Sequence, residues 1–258
     1  MNNNYTLITG GTEGIGIELA KLFAGDKNNL ILVARSNDKL VDTKRYIEEK
    51  YNVKVEILSV DLSVDNSYKE VIDFVDEKNL VVDNLINNAG IGSFGYFHEE
   101  DEGFEDKIIG INIITLTKLT KHFLSKMIEK KSGAILNVAS TAGFVGGPKM
   151  ALYYSTKAYV LSLTEAIHDE AKEFGVNVSC LCPGPVDTFF QKKSGIKKSE
   201  SAKKYLMSAE DVAKEGYIRF LKGKAIIVPG FKNKLIVFGN KLIPRSLSRK
   251  IVKNTNRG

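Results

Sequence analysis

Short runs of branched and apolar residues alternate along the chain with longer stretches whose apolar positions recur every three to four residues. This is the pattern of strand–helix–strand units on a parallel sheet. The runs fall at residues 5–9, 30–34, 54–60, 84–87, 134–139, 176–182 and 225–228, which predicts seven strands. Helical spacing predicts helices over 14–24, 37–51, 65–77, 102–129, 150–174 and 209–221. In the second of these, Leu40, Val41, Lys44, Ile47 and Tyr51 follow that spacing, with Asn37 or Asp38 as the expected cap. Each crossover is long enough to be helical and right-handed. The expected fold class is α/β, a doubly wound parallel sheet with helices on both faces. A single domain is expected over residues 1–230.

Composition excludes more than it selects. The 258 residues are 43% hydrophobic and 26% charged, with 22 glycines and 5 prolines, the balance of a globular protein rather than of a disordered or collagen-like one. No stretch approaches the ~20 apolar residues of a spanning helix, and Met1-Asn2-Asn3-Asn4 carries neither segment of a secretion signal. A cytoplasmic location is expected. Cys180 and Cys182 are too few for a disulfide framework and read as buried thiols. His98, His122 and His168 have no ligand spacing, so no metal is expected.

The net charge of +6 is unevenly placed. Ten basic residues and no acid lie between Lys222 and Arg257, while the rest of the chain is net acidic. A surplus confined to one end argues for a local anionic partner or a solvated tail, and against a nucleic-acid-binding body.

The first predicted strand runs into Thr9-Gly10-Gly11-Thr12-Glu13-Gly14-Ile15-Gly16 and then a helix. Glycines there permit a tight turn and the close approach of a pyrophosphate to helix N-terminal amides, as in Rossmann-like sheets, although a bare strand-to-helix corner also uses glycine. The second strand ends in Arg35-Ser36, where dinucleotide binders specific for NAD(H) often carry an acid. A guanidinium forks onto a 2′-phosphate that a carboxylate would repel, so NADP(H) is preferred over NAD(H). Glu13, which adds negative charge to the loop, is the contrary sign.

Tyr153 and Lys157 stand at i and i+4 on one face of the helix predicted over 150–174. A nearby ammonium favours the phenolate, so Lys157 is expected to pull the Tyr153 pKa down toward the useful range of a general acid/base. Tyr154 is the rival phenol, but Ala158 at its i+4 position offers no charge. Ser140 follows the fifth strand, at the carboxyl edge where open α/β sheets bind ligands.

These features, with Asp61-Leu62, Asn87-Asn88-Ala89-Gly90, Asn112, Pro183-Gly184 and Thr188, occur in an order and spacing that resembles the short-chain dehydrogenase/reductase family over residues 5–228. The resemblance implies hydride transfer between nicotinamide and a carbonyl or alcohol carbon. It makes Tyr153 the acid/base, with Ser140 orienting the carbonyl. Lys157 would also hold the nicotinamide ribose, and Asn112 would anchor a water relay. The implied cofactor set is Gly10, Thr12, Gly14, Ile15, Gly16, Arg35, Asp61, Leu62, Asn88, Ala89, Gly90, Tyr153, Lys157, Pro183, Gly184 and Thr188. Asp61 is expected near the adenine, Asn88 near a ribose and Thr188 near the carboxamide. The leading expectation is an NADP(H)-dependent reductase of a ketone, aldehyde or 3-oxoacyl group. A hydroxysteroid or lipid alcohol dehydrogenase, and a non-catalytic NADP(H)-binding regulatory protein, are the alternatives.

Two further segments bear on substrate and partners. Residues 187–208, rich in Lys and containing Phe189 and Phe190, read as a lid over the substrate or as a solvated loop. Residues 231–258 read as a basic amphipathic extension of two short helices divided at Pro244. The extension is expected to pack on the body or join a homodimer, with peripheral contact to an anionic membrane as the other reading.

Overall fold

The structure is a computed structural model that describes residues 4–187 and 206–256. Among these, the strands are β1 (Asn4–Thr9), β2 (Asn29–Ala34), β3 (Val55–Ser59), β4 (Val81–Asn87), β5 (Ala134–Val138), β6 (Asn177–Leu181), β7 (Val186–Asp187), β8 (Met207–Ser208) and β9 (Ile226–Ile227). Seven of them form one parallel sheet in the order β3-β2-β1-β4-β5-β6-β9. Branched apolar residues make this possible because the sheet is covered on both faces: Leu7 and Ile8, Leu30 to Val33, Leu85 and Ile86, and Ile135 and Leu136 are all fully buried.

On one face lie α1 (Gly14–Gly25), α2 (Asn37–Tyr51) and α7 (Ala209–Leu221). Phe23 of α1 meets Tyr217 and Phe220 of α7 edge-on, with ring centroids 4.8 and 6.0 Å apart. The other face is covered by α3 (Ser67–Glu77), α5 (Leu116–Lys130) and α6 (Ala151–Lys172), through Val71, Val75, Leu119, Phe123, Met127 and Ala171. Between α3 and α5 comes the short α4 (Phe104–Ile109). Two further helices, α8 (Phe231–Leu242) and α9 (Arg245–Thr255), follow the last sheet strand, with Pro244 at the start of the second.

The structure corrects three local expectations. The helix expected over 102–129 is broken: a π-helical turn, Gly110–Thr115, separates α4 from α5. Gly110 lies so close to the loop after β3 that a Cβ there would meet the Ser63 carbonyl oxygen at 2.9 Å, and Thr115 donates to the Leu62 carbonyl at 3.0 Å. The N-cap of α2 is Ser36, not Asn37 or Asp38, and it makes no side-chain capping bond. A two-stranded parallel pair, β7 with β8, had no periodic signal because each strand is two residues long. Most of the segment expected to form a lid, including Thr188, Phe189 and Phe190, lies outside the described residues.

Candidate active site

Residues from distant parts of the chain meet at the carboxyl ends of the central strands. Gly10 follows β1, Arg35 follows β2, Asp61 lies just beyond β3, Asn88 to Gly90 follow β4, Ser140 lies just beyond β5, and Pro183 and Gly184 just beyond β6. This edge is where a parallel sheet leaves a crevice.

The turn after β1 is built for close approach. Gly10 and Gly14 have φ of 67° and 57°, a region side chains disfavour. A Cβ on Gly16 would lie 2.1 Å from the Gly10 carbonyl oxygen and 2.6 Å from Asn88 Nδ2. Asn88 closes the turn from the neighbouring strand, donating to the Thr9 and Gly10 carbonyls at 3.0 and 3.1 Å. Thr9 Oγ1 in turn accepts from the backbone amides of Asn88 and Ala89, both at 3.0 Å. The amide of Asn88 is therefore engaged in holding the loop. Ile15 packs against the core, and Thr12 lies within the turn. The first turn of α1 carries no acidic residue, and its N-cap Glu13 makes no side-chain cap bond; Glu13 pairs instead with Lys39 at 2.9 Å. Backbone amides at that helix end suit a pyrophosphate.

Arg35 and Asp61 face each other at 3.9 Å, with side chains 59% and 41% exposed. Asp61 also accepts from Ser63 N and Oγ at 3.0 and 2.7 Å. Burial pushes its carboxyl up, but the Ser63 hydrogen bonds and the charges of Arg35 and Lys107 outweigh that and hold it below the usual range. Arg35 thus has a carboxylate neighbour, held at a distance that leaves its planar fork open to solvent. Leu62 is buried beside this pair.

At the other end of the crevice, α6 presents Tyr153 and Lys157. The Tyr153 hydroxyl shares a hydrogen bond with Ser140, whose Oγ accepts from Ala142 N at 3.1 Å and donates to the Pro183 carbonyl at 3.3 Å. Lys157 is buried, donates to the Val138 carbonyl at 2.8 Å, and lies 5.8 Å from the Tyr153 ring centre. Gly90 fills the gap between two of these groups: a Cβ there would be 3.0 Å from Asn112 Oδ1 and 3.4 Å from Lys157 Nζ. Asn112, in the π-helical turn, donates to the Ile91 carbonyl at 2.9 Å and to Thr156 Oγ1 at 3.0 Å, and accepts from Ile91 N at 3.0 Å. Both amide protons are committed, so Asn112 clamps the loop after β4 to α6. Thr156, which donates to the Tyr153 carbonyl at 2.9 Å, completes that clamp and had no signal of its own beyond lying between Tyr153 and Lys157.

One electrostatic expectation is overturned. Tyr153 is partly exposed as a residue, but its hydroxyl lies deep, and desolvation pushes the phenol up to about 12 in spite of the Ser140 hydrogen bond. Lys157 has its ammonium turned to Val138 and is itself pushed down to about 8 by burial. The spacing brings Lys157 within 5.8 Å of the Tyr153 ring centre, but the phenol's shift is set by loss of water, opposed by the Ser140 hydrogen bond. Tyr154 meets the Tyr153 ring edge-on, with centroids 6.2 Å apart, but its own ring packs on Gly147 and its hydroxyl hydrogen-bonds Asn256, at the end of α9.

These shifts make stability depend on pH in opposite senses. Between about 8 and 10.5 the unfolded chain binds a proton on Lys157 that the folded chain has released, so stability rises with pH across that window. Between 10.0 and about 12 the folded chain keeps the Tyr153 proton that the unfolded chain gives up, so stability falls. Lys157→Met is therefore expected to stabilise the protein at neutral pH by up to about 3 kcal/mol, a gain that fades as pH rises from 8 to 10.5. Urea unfolding of both proteins at the two ends of that window checks it. A gain of the same size at both ends would show that the buried charge is not its source.

Among the described residues there is no group of three His, Cys, Asp or Glu side chains suited to a metal, and Cys180 and Cys182 are buried free thiols with their sulfurs 3.6 Å apart.

The profile of the short chain dehydrogenase family matches residues 4–199. The chain belongs to that family. A very-long-chain 3-oxoacyl-CoA reductase of Rattus norvegicus is 33% identical over 183 residues, covering 69% of this chain and 58% of the relative. This short-chain dehydrogenase thus spans less than two thirds of the length of that relative. Among solved structures, a short-chain dehydrogenase from Sphingobium yanoikuyae in complex with NADPH superposes with a TM-score of 0.82 at 27% identity, over 88% of both chains. The bulky-bulky ketone specific alcohol dehydrogenase from Comamonas testosteroni gives 0.78 at 25% identity, over 92% of both.

Proposed function

We propose that the protein is an NADP(H)-preferring reductase of a ketone that carries a large apolar substituent, a 3-oxoacyl thioester being the leading candidate. The observation that carries this is the hydrogen bond between the Ser140 and Tyr153 hydroxyls, with the Lys157 ammonium on the same helix face. The names of the similar proteins support the substrate class, since both a 3-oxoacyl thioester and a bulky ketone present a carbonyl flanked by long or wide groups.

The dinucleotide fits the residues present. The side-chain-free approach at Gly10 and Gly16 and the uncapped amides of α1 would hold the pyrophosphate, Arg35 with Lys39 the 2′-phosphate, and Lys157 the nicotinamide ribose. When bound, it supplies the hydride. The protein's own work is proton transfer and positioning. Ser140, held by Ala142 and Pro183, and Tyr153 present two hydroxyls to one carbonyl oxygen. A phenol pushed up to about 12 is fully protonated at neutral pH and serves as donor in the reducing direction. Lys157, a cation below about 8, stabilises the phenolate left behind.

The test is turnover of NADPH against ketones graded in chain length and charge, followed by the loss of reduced nicotinamide absorbance. Rising kcat/KM with apolar length supports the reading, and NADPH binding without turnover of any carbonyl overturns it. For the cofactor, Arg35→Ala is expected to weaken NADPH about tenfold, the loss of one bidentate charged contact, while leaving NADH unchanged. Equal effects on both would remove Arg35 from phosphate recognition.

A further inference from the structure

We propose that α8 and α9 form a docking surface for an anionic lipid bilayer. The inference goes beyond the reductase reading and does not depend on it.

A surface helix ordinarily buries its apolar stripe. In α8 the order is reversed. Phe231, Leu235, Phe238 and Leu242, at i, i+4, i+7 and i+11, form one stripe and are 73, 54, 61 and 70% exposed. The body is met by the other side of the helix: Val237 is buried, and Asn233 packs on Gly184 while donating to the Pro229 carbonyl at 2.8 Å. The helix is fixed in this orientation, because Glu215 of α7 accepts from Gly230 N at 2.8 Å and pairs with Lys234 at 2.7 Å. In α9, Ser248 is buried and Asn256, just past the helix, donates to the Pro148 carbonyl at 3.1 Å, whereas Leu247 and Ile251, one turn apart, are exposed. Four large apolar side chains in line on a tethered helix need a partner.

Charge says which partner. Helical spacing puts Lys232 on one flank of the α8 stripe and Lys241 on the other, and α9 adds Arg245, Arg249, Lys250 and Lys253. No acidic residue occurs from 222 to the end of the sequence. Among the described residues, no carboxylate pairs with Lys241 or with any of the four cations of α9. A second copy of the chain, docked about a two-fold axis, would bring this positive surface against itself. No helix of the described residues is long and apolar enough to cross a membrane. A bilayer rich in anionic headgroups accepts both features at once, apolar side chains at the acyl boundary and cations at the phosphates.

The experiment is co-sedimentation of the full chain with vesicles containing roughly one phosphatidylglycerol in three lipids, the rest phosphatidylcholine, beside pure phosphatidylcholine vesicles. Binding is expected to the anionic vesicles alone, and to be released as salt approaches about 0.5 M. The pair Leu235→Glu and Phe238→Glu is expected to abolish binding while thermal melting stays unchanged. Lys241→Gln with Lys250→Gln, which leaves the apolar stripe intact, is expected to weaken binding about fivefold per cation removed. No sedimentation at low salt, or equal sedimentation with both vesicle types, overturns the proposal. So does sedimentation velocity showing a dimer that the Leu235→Glu and Phe238→Glu pair dissociates, since the stripe would then be covered by a second copy.

Discussion

Tyr153→Phe is expected to lower turnover of a ketone by about 10²–10⁴-fold, the usual worth of a positioned general acid. The change removes one oxygen and keeps the ring, so NADPH affinity and the melting temperature should stay close to those of the parent. The hydroxyl is the only part of the residue that the proposed chemistry needs, and it is bonded to Ser140. Ser140→Ala should fall in the same direction by a smaller factor, because it removes one of two groups facing the carbonyl oxygen and leaves the phenol in place. The two losses should not add in the double variant, since both hydroxyls act on one oxygen. Single-turnover reduction with saturating NADPH measures this without interference from product release. Turnover by Tyr153→Phe within a few-fold of the parent would assign the proton to another donor. Tyr154 is not that donor on this geometry, because its hydroxyl is bonded to Asn256 and its ring is packed on Gly147.

Features legible in the sequence are those whose cause is local. The Tyr153–Lys157 spacing follows from one turn of helix, and the glycine turn from the backbone between one strand and one helix. The alternating pattern fixes a covered parallel sheet because both faces of every central strand must be apolar. What was not legible depends on approaches between distant segments. The π-helical turn exists because Gly110 allows the chain to lie against Ser63, and nothing in the residues 102–129 taken alone distinguishes it from a continuous helix. The buried amide ladder under the site is similar: Asn87 donates to Asn137 Oδ1 and Thr120 Oγ1, both at 2.9 Å, and Asn137 to Thr164 Oγ1 at 3.1 Å. Asn87 falls in a motif, but Thr120, Asn137 and Thr164 read singly as ordinary polar positions, and the register of β4 against β5 is what sets Asn87 beside Asn137.

The pKa of Tyr153 shows the same division in energetic terms. Spacing reports which charges are near, and it placed Lys157 beside the phenol. It does not report how much water the fold removes, and that desolvation sets the direction of the shift. The extension past residue 230 was readable as two basic helices, but its use of Asn233 and Asn256 to meet Gly184, Pro148 and Tyr154 was not. Those contacts form between residues 49 to 108 positions apart, with no periodic trace.

Gly16→Ala is expected to damage both the stability of the protein and its hold on the dinucleotide. Its Cβ would sit 2.1 Å from the Gly10 carbonyl oxygen, a backbone atom in a turn already held at φ 67°, so no side-chain rotation relieves the clash. The second contact, 2.6 Å to Asn88 Nδ2, strikes the residue that ties the turn to β4 through the Thr9 and Gly10 carbonyls. Displacing α1 from the turn should cost about 1–3 kcal/mol of stability, in the range of overpacked cores. It should cost more in function, because the amides of α1 and the loop backbone would no longer converge on one pyrophosphate, and NADPH affinity should fall at least about tenfold. Gly25→Ala in the same helix is the matched control: nothing lies within 4 Å of its Cβ, so it should be neutral or slightly stabilising through helix propensity. Thermal melting with and without NADPH separates the two parts of the prediction. The parent and Gly25→Ala should gain stability from NADPH by mass action, and Gly16→Ala should start lower and gain little. If Gly16→Ala melts and binds NADPH like the parent, the turn is not the tight cradle described, and the dinucleotide assignment loses its steric basis.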